Sequence, residues 1–212
     1  MNFAQILDFV FSFFFPHREE SLFFKKWNVS HYQKKLRPSF STKPTIHALF
    51  SYKDPLVRKL IRSIKKEKAV YIGNAVAELF YDEVLSLFED SAFDMDKKIF
   101  IVPIPISKKR FRERGFNQSA WISKILSQKL GPPFVYAPYL LRKIKDTKKQ
   151  ALLHRRDRLR NPIGSFQAGN VVKGSLVILL DDVITTGATV AEAKKVLRKA
   201  GIKRIEIFCI AH

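Results

Sequence analysis

Continuous apolar runs alternate with helical patterns along most of the chain. Two such runs, "KIFIVPIPI" (98–106) and "SLVILL" (175–180), contain almost no polar interruption, and a third, "RIEIFCIA", lies near the end. Runs of this kind are typical of strands buried on both faces, as in a parallel sheet. Proline cannot donate within a ladder, so the first run is expected to leave the sheet at Pro103. Shorter strands are predicted in "IHALFSY" (46–52) and "PFVYAPYLLRKI" (133–144).

Helical spacing of apolar residues fills the intervals between these strands. Asp54 is placed to cap a helix that starts at Pro55. A long helical pattern follows over 69–88, with an interruption expected near Gly73, and two further helices are expected to end at Gly131 and Gly201. The alternation predicts an α/β fold, with a mostly parallel central sheet flanked by helices. Ligands of such sheets bind at the carboxyl ends of the strands.

The first 45 residues have a different character. Helical spacing over 1–16 predicts an amphipathic helix that docks on its own domain or on a partner, and 16–45 is basic, aromatic and without a sustained period. We therefore divide the chain into an N-terminal appendage (1–45) and an α/β domain (46–212). The helix is too short to span a bilayer and lacks the basic start and cleavage site of a signal peptide, so a cytoplasmic location without a transmembrane segment is expected.

Positive charge dominates the composition. The formal net charge is +20, and 16 Lys/Arg fall between Pro103 and Arg160 against three acidic residues. This indicates an anionic partner, such as a phosphorylated small molecule, nucleic acid or anionic lipid; a solvated lysine-rich surface is the alternative. The single cysteine, Cys209, excludes a disulfide scaffold and a multi-cysteine zinc site within one chain.

The stretch "LVILLDDVITTGATV" (176–190) combines a buried strand, two carboxylates and a loop of small hydroxyl residues. Backbone N–H groups are unpaired at the start of the following helix and suit a phosphate, and Gly187 permits a tight turn. If the chain begins to turn at the strand end, Asp181 and Asp182 can both accept from a vicinal diol. The pattern predicts a cradle for a ribose 5-phosphate, whereas the simpler alternative is a capped helix with acidic residues at its dipole. No GxxxxGK[ST] loop is present.

This stretch closely resembles the phosphoribosyl-pyrophosphate motif of type I phosphoribosyltransferases. The resemblance implies that fold, with Asp181 and Asp182 as ligands of the ribose hydroxyls. It also implies a loop for the 5-phosphate, made of Thr185, Thr186, Gly187, Ala188 and Thr189.

Three more blocks resemble the ComF family, which is related to the competence protein of DNA uptake and to amidophosphoribosyltransferases. They are "SYKDPLVRKLIRSIKK" (51–66), "VPIPISKKRFRERGFNQS" (102–119) and "LLRKIKDTKKQALLHRRDRLRNPIGSF" (140–166). The resemblance implies catalytic roles for Arg112 and Arg114 beside the aspartates. It implies a pyrophosphate loop with Pro103, Ile104, Pro105, Lys108 and Arg110, in which Val102–Pro103 or Ile104–Pro105 could be cis. It also implies a mobile hood with Lys145, Lys148, Gln150 and Arg158.

The resemblance carries expectations about metals as well. Family members usually begin with a cysteine-rich zinc ribbon after a helix ending in Phe-Pro. This chain keeps Phe15–Pro16 but continues "HREES", with only His17 and His31 as candidate ligands nearby, so zinc is not expected. Mg²⁺ is expected with phosphoribosyl pyrophosphate, held through the pyrophosphate, with Asp181 and Asp182 as the only candidate direct ligands.

Two functions follow from these observations. The first is an enzyme that binds phosphoribosyl pyrophosphate with Mg²⁺ and transfers the phosphoribosyl group to a nitrogen acceptor that the sequence does not identify. The second is a non-catalytic competence factor that binds single-stranded DNA or a helicase partner, because Phe111, Phe116 and Trp121 are interleaved with the basic residues. Phe116 and Trp121 also fit a helical core pattern. The oligomeric state stays open, a dimer included.

Overall fold

The computed structural model describes residues 22–39, 45–66, 69–89, 97–145, 162–171 and 174–212. The strands are β1 (Ile46–Phe50), β2 (Ile99–Pro103), β3 (Phe134–Tyr136), β4 (Leu141–Lys143), β5 (Phe166–Ala168), β6 (Leu176–Val183) and β7 (Arg204–Ala211). Five of them form a parallel sheet in the order β1–β7–β6–β2–β3, and β4 and β5 pair antiparallel in a second, small sheet. The predicted α/β fold with a mostly parallel central sheet is confirmed.

In the described part of the chain, one helix precedes β1, and the others lie in the connections β1–β2, β2–β3 and β6–β7. They are α1 (Val29–Lys35), α2 (Pro55–Lys66), α3 (Val70–Glu89), α4 (Lys108–Arg114), α5 (Gln118–Leu130) and α6 (Ala188–Lys199), with a 3₁₀ turn at Pro138–Leu140. Asp54 begins α2 as predicted, its Oδ1 accepting from the Leu56 N–H at 2.8 Å. The interruption expected near Gly73 does not occur, because α3 runs unbroken through that residue.

Helix α4 was not predicted. The Ser107 hydroxyl accepts from the Arg110 N–H at 3.2 Å and starts it, and Gly115 ends it in the left-handed region at φ 75°. No residue of α4 is buried, so no apolar periodicity marks it in the sequence.

The central strands are apolar because both of their faces are covered. Ile178 and Leu180 of β6 belong to a core cluster shared with α2, α3 and α5, whereas Val177 and Leu179 belong to a second cluster shared with α6. Consecutive side chains of a strand point to opposite faces. The unbroken apolar run in β6 therefore indicates that both faces of the strand are covered by core clusters, which is the arrangement expected of a parallel sheet.

The order of strands along the sheet reverses between β2 and β6. The chain proceeds from β2 to β3 on one side and from β6 to β7 on the other, and β2 pairs with β6 up to Pro103 and Leu180. The loops that follow these two strands diverge from the same edge. In parallel sheets the crevice at such a point is the usual ligand site.

Residues 22–39 pack onto the sheet domain rather than standing apart from it. They include α1, in a stretch that the sequence predicts to be irregular, and they bury Phe24, Tyr32 and Leu36 in the cluster shared with α2 and α3. The helix predicted over 1–16 lies outside the described residues, and the boundary at 45 stays a prediction. Among the described helices, none is long and apolar enough to cross a membrane.

Candidate functional site

Strand β6 continues through the aspartate pair to Val183, so the turn expected at that point is absent. Asp182 follows Leu180 on the face of α2 and α5, and Asp181 lies on the other face, where its register partner is Cys209. The Asp181 Oδ1 accepts from the Asp182 N–H at 2.8 Å, which folds this side chain towards the carboxyl end of β6. The two carboxylates thus flank the end of one strand from opposite sides.

The loop after β6 forms a shallow pocket together with Asp181. Its lining consists of Asp181 and residues 183–190. Gly187 lies at φ 76° immediately before α6, and its carbonyl accepts from the Ala191 N–H at 2.9 Å. The left-handed region is open to glycine at no steric cost, and at the start of α6 the Ala188 N–H donates to the Thr186 hydroxyl at 3.4 Å. The structure therefore brings the predicted phosphate loop and one of the two predicted diol ligands into one pocket.

Asp182 is held by side chains from two helices. Its Oδ2 receives the Lys65 ammonium of α2 at 3.1 Å and a hydrogen bond from the Gln118 amide of α5. The Gln118 Oε1 in turn accepts from the Arg114 guanidinium of α4 at 3.3 Å. Asp182 is only 8% exposed, and this network provides the partners that a buried carboxylate needs. Lys65 and Gln118 were not among the predicted site residues.

The two carboxylates have opposite pKa shifts. Burial, followed by the negative charge of Asp182, raises the pKa of Asp181 to about 7. Burial alone would also raise the pKa of Asp182, but the Lys65 ammonium and the Gln118 amide hold it below its usual range. Near neutral pH the pair therefore carries a fixed negative charge at Asp182 and a titrating one at Asp181.

We expect Asp181→Asn to stabilise the metal-free protein more at pH 8 than at pH 5. The folded state raises the pKa of Asp181 from 3.8 to about 7, so this carboxyl favours folding below pH 4 and loses that contribution as the pH rises through 7. Asparagine has no such loss and keeps the oxygen that accepts from Asp182. Urea unfolding in EDTA at both pH values measures the difference; an equal effect at the two values would contradict the raised pKa.

The loop after β2 is fastened to both neighbouring elements. The Ile104 N–H donates to the Leu180 carbonyl of β6 at 2.9 Å, and the Ile104 carbonyl accepts from the Asn117 amide at 3.0 Å. Pro103 and Ile104 are buried and Pro105 is half-buried. Both prolines follow trans bonds, whereas Pro132–Pro133 is cis. The predicted pyrophosphate loop thus lies beside the end of β6, without the cis peptide considered for it.

The predicted cations of this region project from α4. Lys108 and Arg112 are exposed, and Arg110 and Arg114 are half-buried. Of the predicted hood residues, Lys145 is exposed at the end of a described segment, and Lys148, Gln150 and Arg158 lie outside the described residues. Lys143 of β4, which was not predicted, is close enough to Asp181 to lower its pKa in part.

Comparisons with known proteins assign the chain to a family. Residues 117–212 match the family model of the phosphoribosyl transferase domain, which includes β6, the loop and α6. The DNA utilization protein YhgH of Salmonella typhimurium (strain LT2) is 30% identical over 74% of this chain and 67% of its own length. Competence protein F of Haemophilus influenzae is 31% identical over 72% of this chain and 66% of its own.

Solved structures show a weaker likeness. The phosphoribosylpyrophosphate synthetase of Mycobacterium smegmatis aligns with a TM-score of 0.38 and 18% identity, over 63% of this chain and 33% of the other. The family assignment rests on the sequence relatives and on the matched domain. The chain belongs to the ComF family of proteins with a phosphoribosyltransferase-like domain.

Proposed function

We propose that the protein binds phosphoribosyl pyrophosphate with Mg²⁺ and transfers its phosphoribosyl group to a nitrogen acceptor. The observation that carries the proposal is the pocket shared by Asp181 and residues 183–190, next to the loop that follows β2. A phosphate at the start of α6, a diol at the end of β6 and a pyrophosphate towards α4 would follow the layout of that ligand. The relatives' names concern DNA utilization and competence, and the matched domain supports the sugar phosphate.

Each part of the site has a chemical task in this proposal. The N–H groups and hydroxyls of residues 185–189 bind the 5-phosphate, and the aspartates accept the ribose hydroxyls. Lys108 and Arg110 bind the pyrophosphate. Arg112 and Arg114 stabilise the charge that develops as the bond between the anomeric carbon and pyrophosphate breaks through an oxocarbenium-like state. The nitrogen nucleophile then bonds to that carbon.

The residues of the site are compatible with Mg²⁺ that arrives on its ligand. Among the described residues no group of three or more His, Cys, Asp or Glu lies together. Mg²⁺ usually takes only one or two carboxylates plus substrate phosphates, so the two aspartates are sufficient. Lys65 already holds the Asp182 Oδ2, which leaves Asp181 as the better placed protein ligand. Bound there, the ion would neutralise pyrophosphate charge.

Calorimetric titration with phosphoribosyl pyrophosphate and Mg²⁺ tests the proposal. We expect micromolar binding by the wild type and a loss of roughly 100-fold or more in Asp181→Ala/Asp182→Ala, since each hydrogen bond to a charged group contributes about 1.5–3 kcal/mol. Asp82→Ala/Glu83→Ala removes two adjacent acidic residues from the exposed surface of α3 and serves as the matched control. If the wild type does not bind, the proposal is rejected, and a screen for acceptors is not warranted.

A second candidate function is binding of single-stranded DNA, with or without a helicase partner. The observation in its favour is α4, which is basic, buries no residue and leaves Phe111 52% exposed. Phe116 and Trp121, the other aromatics of the predicted surface, pack edge to face with ring centroids 6.4 Å apart. An exposed aromatic among cations is a feature of single-strand surfaces.

The same variants separate the two functions. Fluorescence anisotropy with a labelled oligonucleotide over a range of salt concentrations measures DNA affinity. Salt-dependent binding that survives Asp181→Ala/Asp182→Ala would favour the second function, and DNA binding lost together with sugar-phosphate binding would tie both to one site.

A further inference from the structure

Helix α2 contributes a cation to the aspartate pair from outside the matched domain. The family model begins at residue 117, whereas Lys65 lies in the last turn of α2. Its ammonium is 3.1 Å from the Asp182 Oδ2, and its side chain is only 30% exposed. An ion pair at this depth is unlike a surface pair, whose members are solvated separately and contribute little.

Protein groups bind one oxygen of each of the two carboxylates. In the described part of the chain, the hydrogen bond from the Asp182 N–H reaches Oδ1 of Asp181, and the contacts of Asp182 with Lys65 and Gln118 both involve Oδ2. Among the described residues, each carboxylate therefore has one oxygen bound by protein groups and a second oxygen without such a partner. These two oxygens lie on either side of the end of β6, Asp181 in the pocket and Asp182 on the face of α2 and α5.

We propose that Lys65 is a positioning residue of the sugar site, which fixes the Asp182 carboxylate through Oδ2 so that Oδ1 accepts a ribose hydroxyl. The inference rests on the proposed function and extends it to a part of the chain that the matched domain lacks. Without the ammonium, the Gln118 amide would hold Oδ2 by itself, and the carboxylate would rotate between arrangements. Ligand binding would then have to order it.

Gln118 extends the same constraint to the pyrophosphate side. Its amide nitrogen donates to Asp182, while its oxygen accepts from Arg114. Because both polar ends of this side chain are engaged, a shift of Asp182 is transmitted to α4. Lys65 thereby helps to hold Asp182, which faces the sugar, and Arg114, which faces the leaving pyrophosphate, in fixed positions relative to each other.

A double-mutant cycle between Lys65 and Asp182 tests this role. Affinity for phosphoribosyl pyrophosphate with Mg²⁺ is measured for the wild type, Lys65→Met, Asp182→Ala and the double variant. We expect Lys65→Met to weaken binding on the order of tenfold when Asp182 is present, as for one charge-assisted hydrogen bond, and to have no effect when it is absent. Affinity for inorganic phosphate should not change, and Lys65→Arg should restore most of the loss.

The outcomes separate the inference from the proposed function. If Lys65→Met weakens binding equally in the Asp182→Ala background, Lys65 contacts the ligand directly. If it does not weaken binding at all, the ion pair does not affect binding. Either result would overturn the inference and leave the proposed function standing. A wild type that does not bind would overturn both. Lys66→Met, which removes the same charge from the next, exposed residue, should bind normally. If Lys65→Met does not fold, Lys65→Gln replaces it in the cycle.

Discussion

A methyl group added at Gly73 is expected to destabilise the protein, although alanine normally favours a helix over glycine. A Cβ at this position would lie 2.7 Å from Cζ2 and 2.8 Å from Cζ3 of the Trp121 indole, well inside van der Waals contact. Alanine gains about 1 kcal/mol of helix propensity, and overpacking of this kind costs about 1–3 kcal/mol. We expect Gly73→Ala to lower the free energy of unfolding by up to about 2 kcal/mol.

The sign of this effect should depend on Trp121. In a Trp121→Leu background the space opens, and Gly73→Ala should instead raise the free energy of unfolding by up to about 1 kcal/mol. Urea denaturation of the four proteins measures both values. Asn74→Ala, at the exposed neighbour, should be neutral or stabilising in either background. Stabilisation by Gly73→Ala with Trp121 intact would mean that the indole moves aside freely.

The packing at Gly73 also bears on the site. Trp121 lies one helical turn after Gln118 in α5, so the close approach of α3 and α5 fixes the position from which Gln118 reaches Asp182. The unbroken course of α3 through a glycine is thus explained by the indole that packs on its backbone.

Valine at Gly187 is expected to weaken phosphate binding strongly, by about 100-fold for phosphoribosyl pyrophosphate. A Cβ would have room here, since its nearest neighbour would be an Ile184 methyl at 3.9 Å. The difficulty is the backbone, which lies at φ 76°, where a β-branched residue is severely strained. Relief of that strain would turn the N–H groups away from the phosphate, at a loss of about two hydrogen bonds to a charged group.

The control for Gly187→Val is Gly174→Val. Gly174 has φ 81° and open space around it, and it lies before β6, at the opposite end of the sheet from the pocket. Both variants should lose similar stability by thermal unfolding, and only Gly187→Val should lose affinity in calorimetry. Equal affinity in the two variants would show that the loop does not bind the phosphate.

Much of the fold could be predicted because β2, β6 and β7 are buried on both faces, which produces long apolar runs in the sequence. Helix α4 gave no such signal, since seven residues without a buried face have no periodicity to detect. Strand β5 is three residues long and is defined by its pairing with β4. Both elements depend on contacts that the sequence alone does not reveal.

The candidate site, too, could be predicted only in part. Asp181 and the loop residues are contiguous, so one motif contained them. Lys65 and Gln118 reach Asp182 from segments far away in the chain, Gln118 from 64 residues before it. In a chain with many lysines, the sequence does not indicate which lysine pairs with Asp182. Adjacent side chains at a strand end were expected to point in opposite directions, but the turn expected to bring both aspartates to one ligand is absent, because β6 continues to Val183.

Helix α4 is held by fewer contacts than the loop before it and α5 after it. It follows a loop fastened to β6, but it buries no residue, and an isolated helix of seven residues is marginal in water. Its folding therefore depends on Ser107 and Gly115 at its ends, and it should open and close far more often than the strands beside it. An anionic ligand that bridges its cations would halt that local unfolding, so the free energy of ordering α4 would be included in the measured affinity.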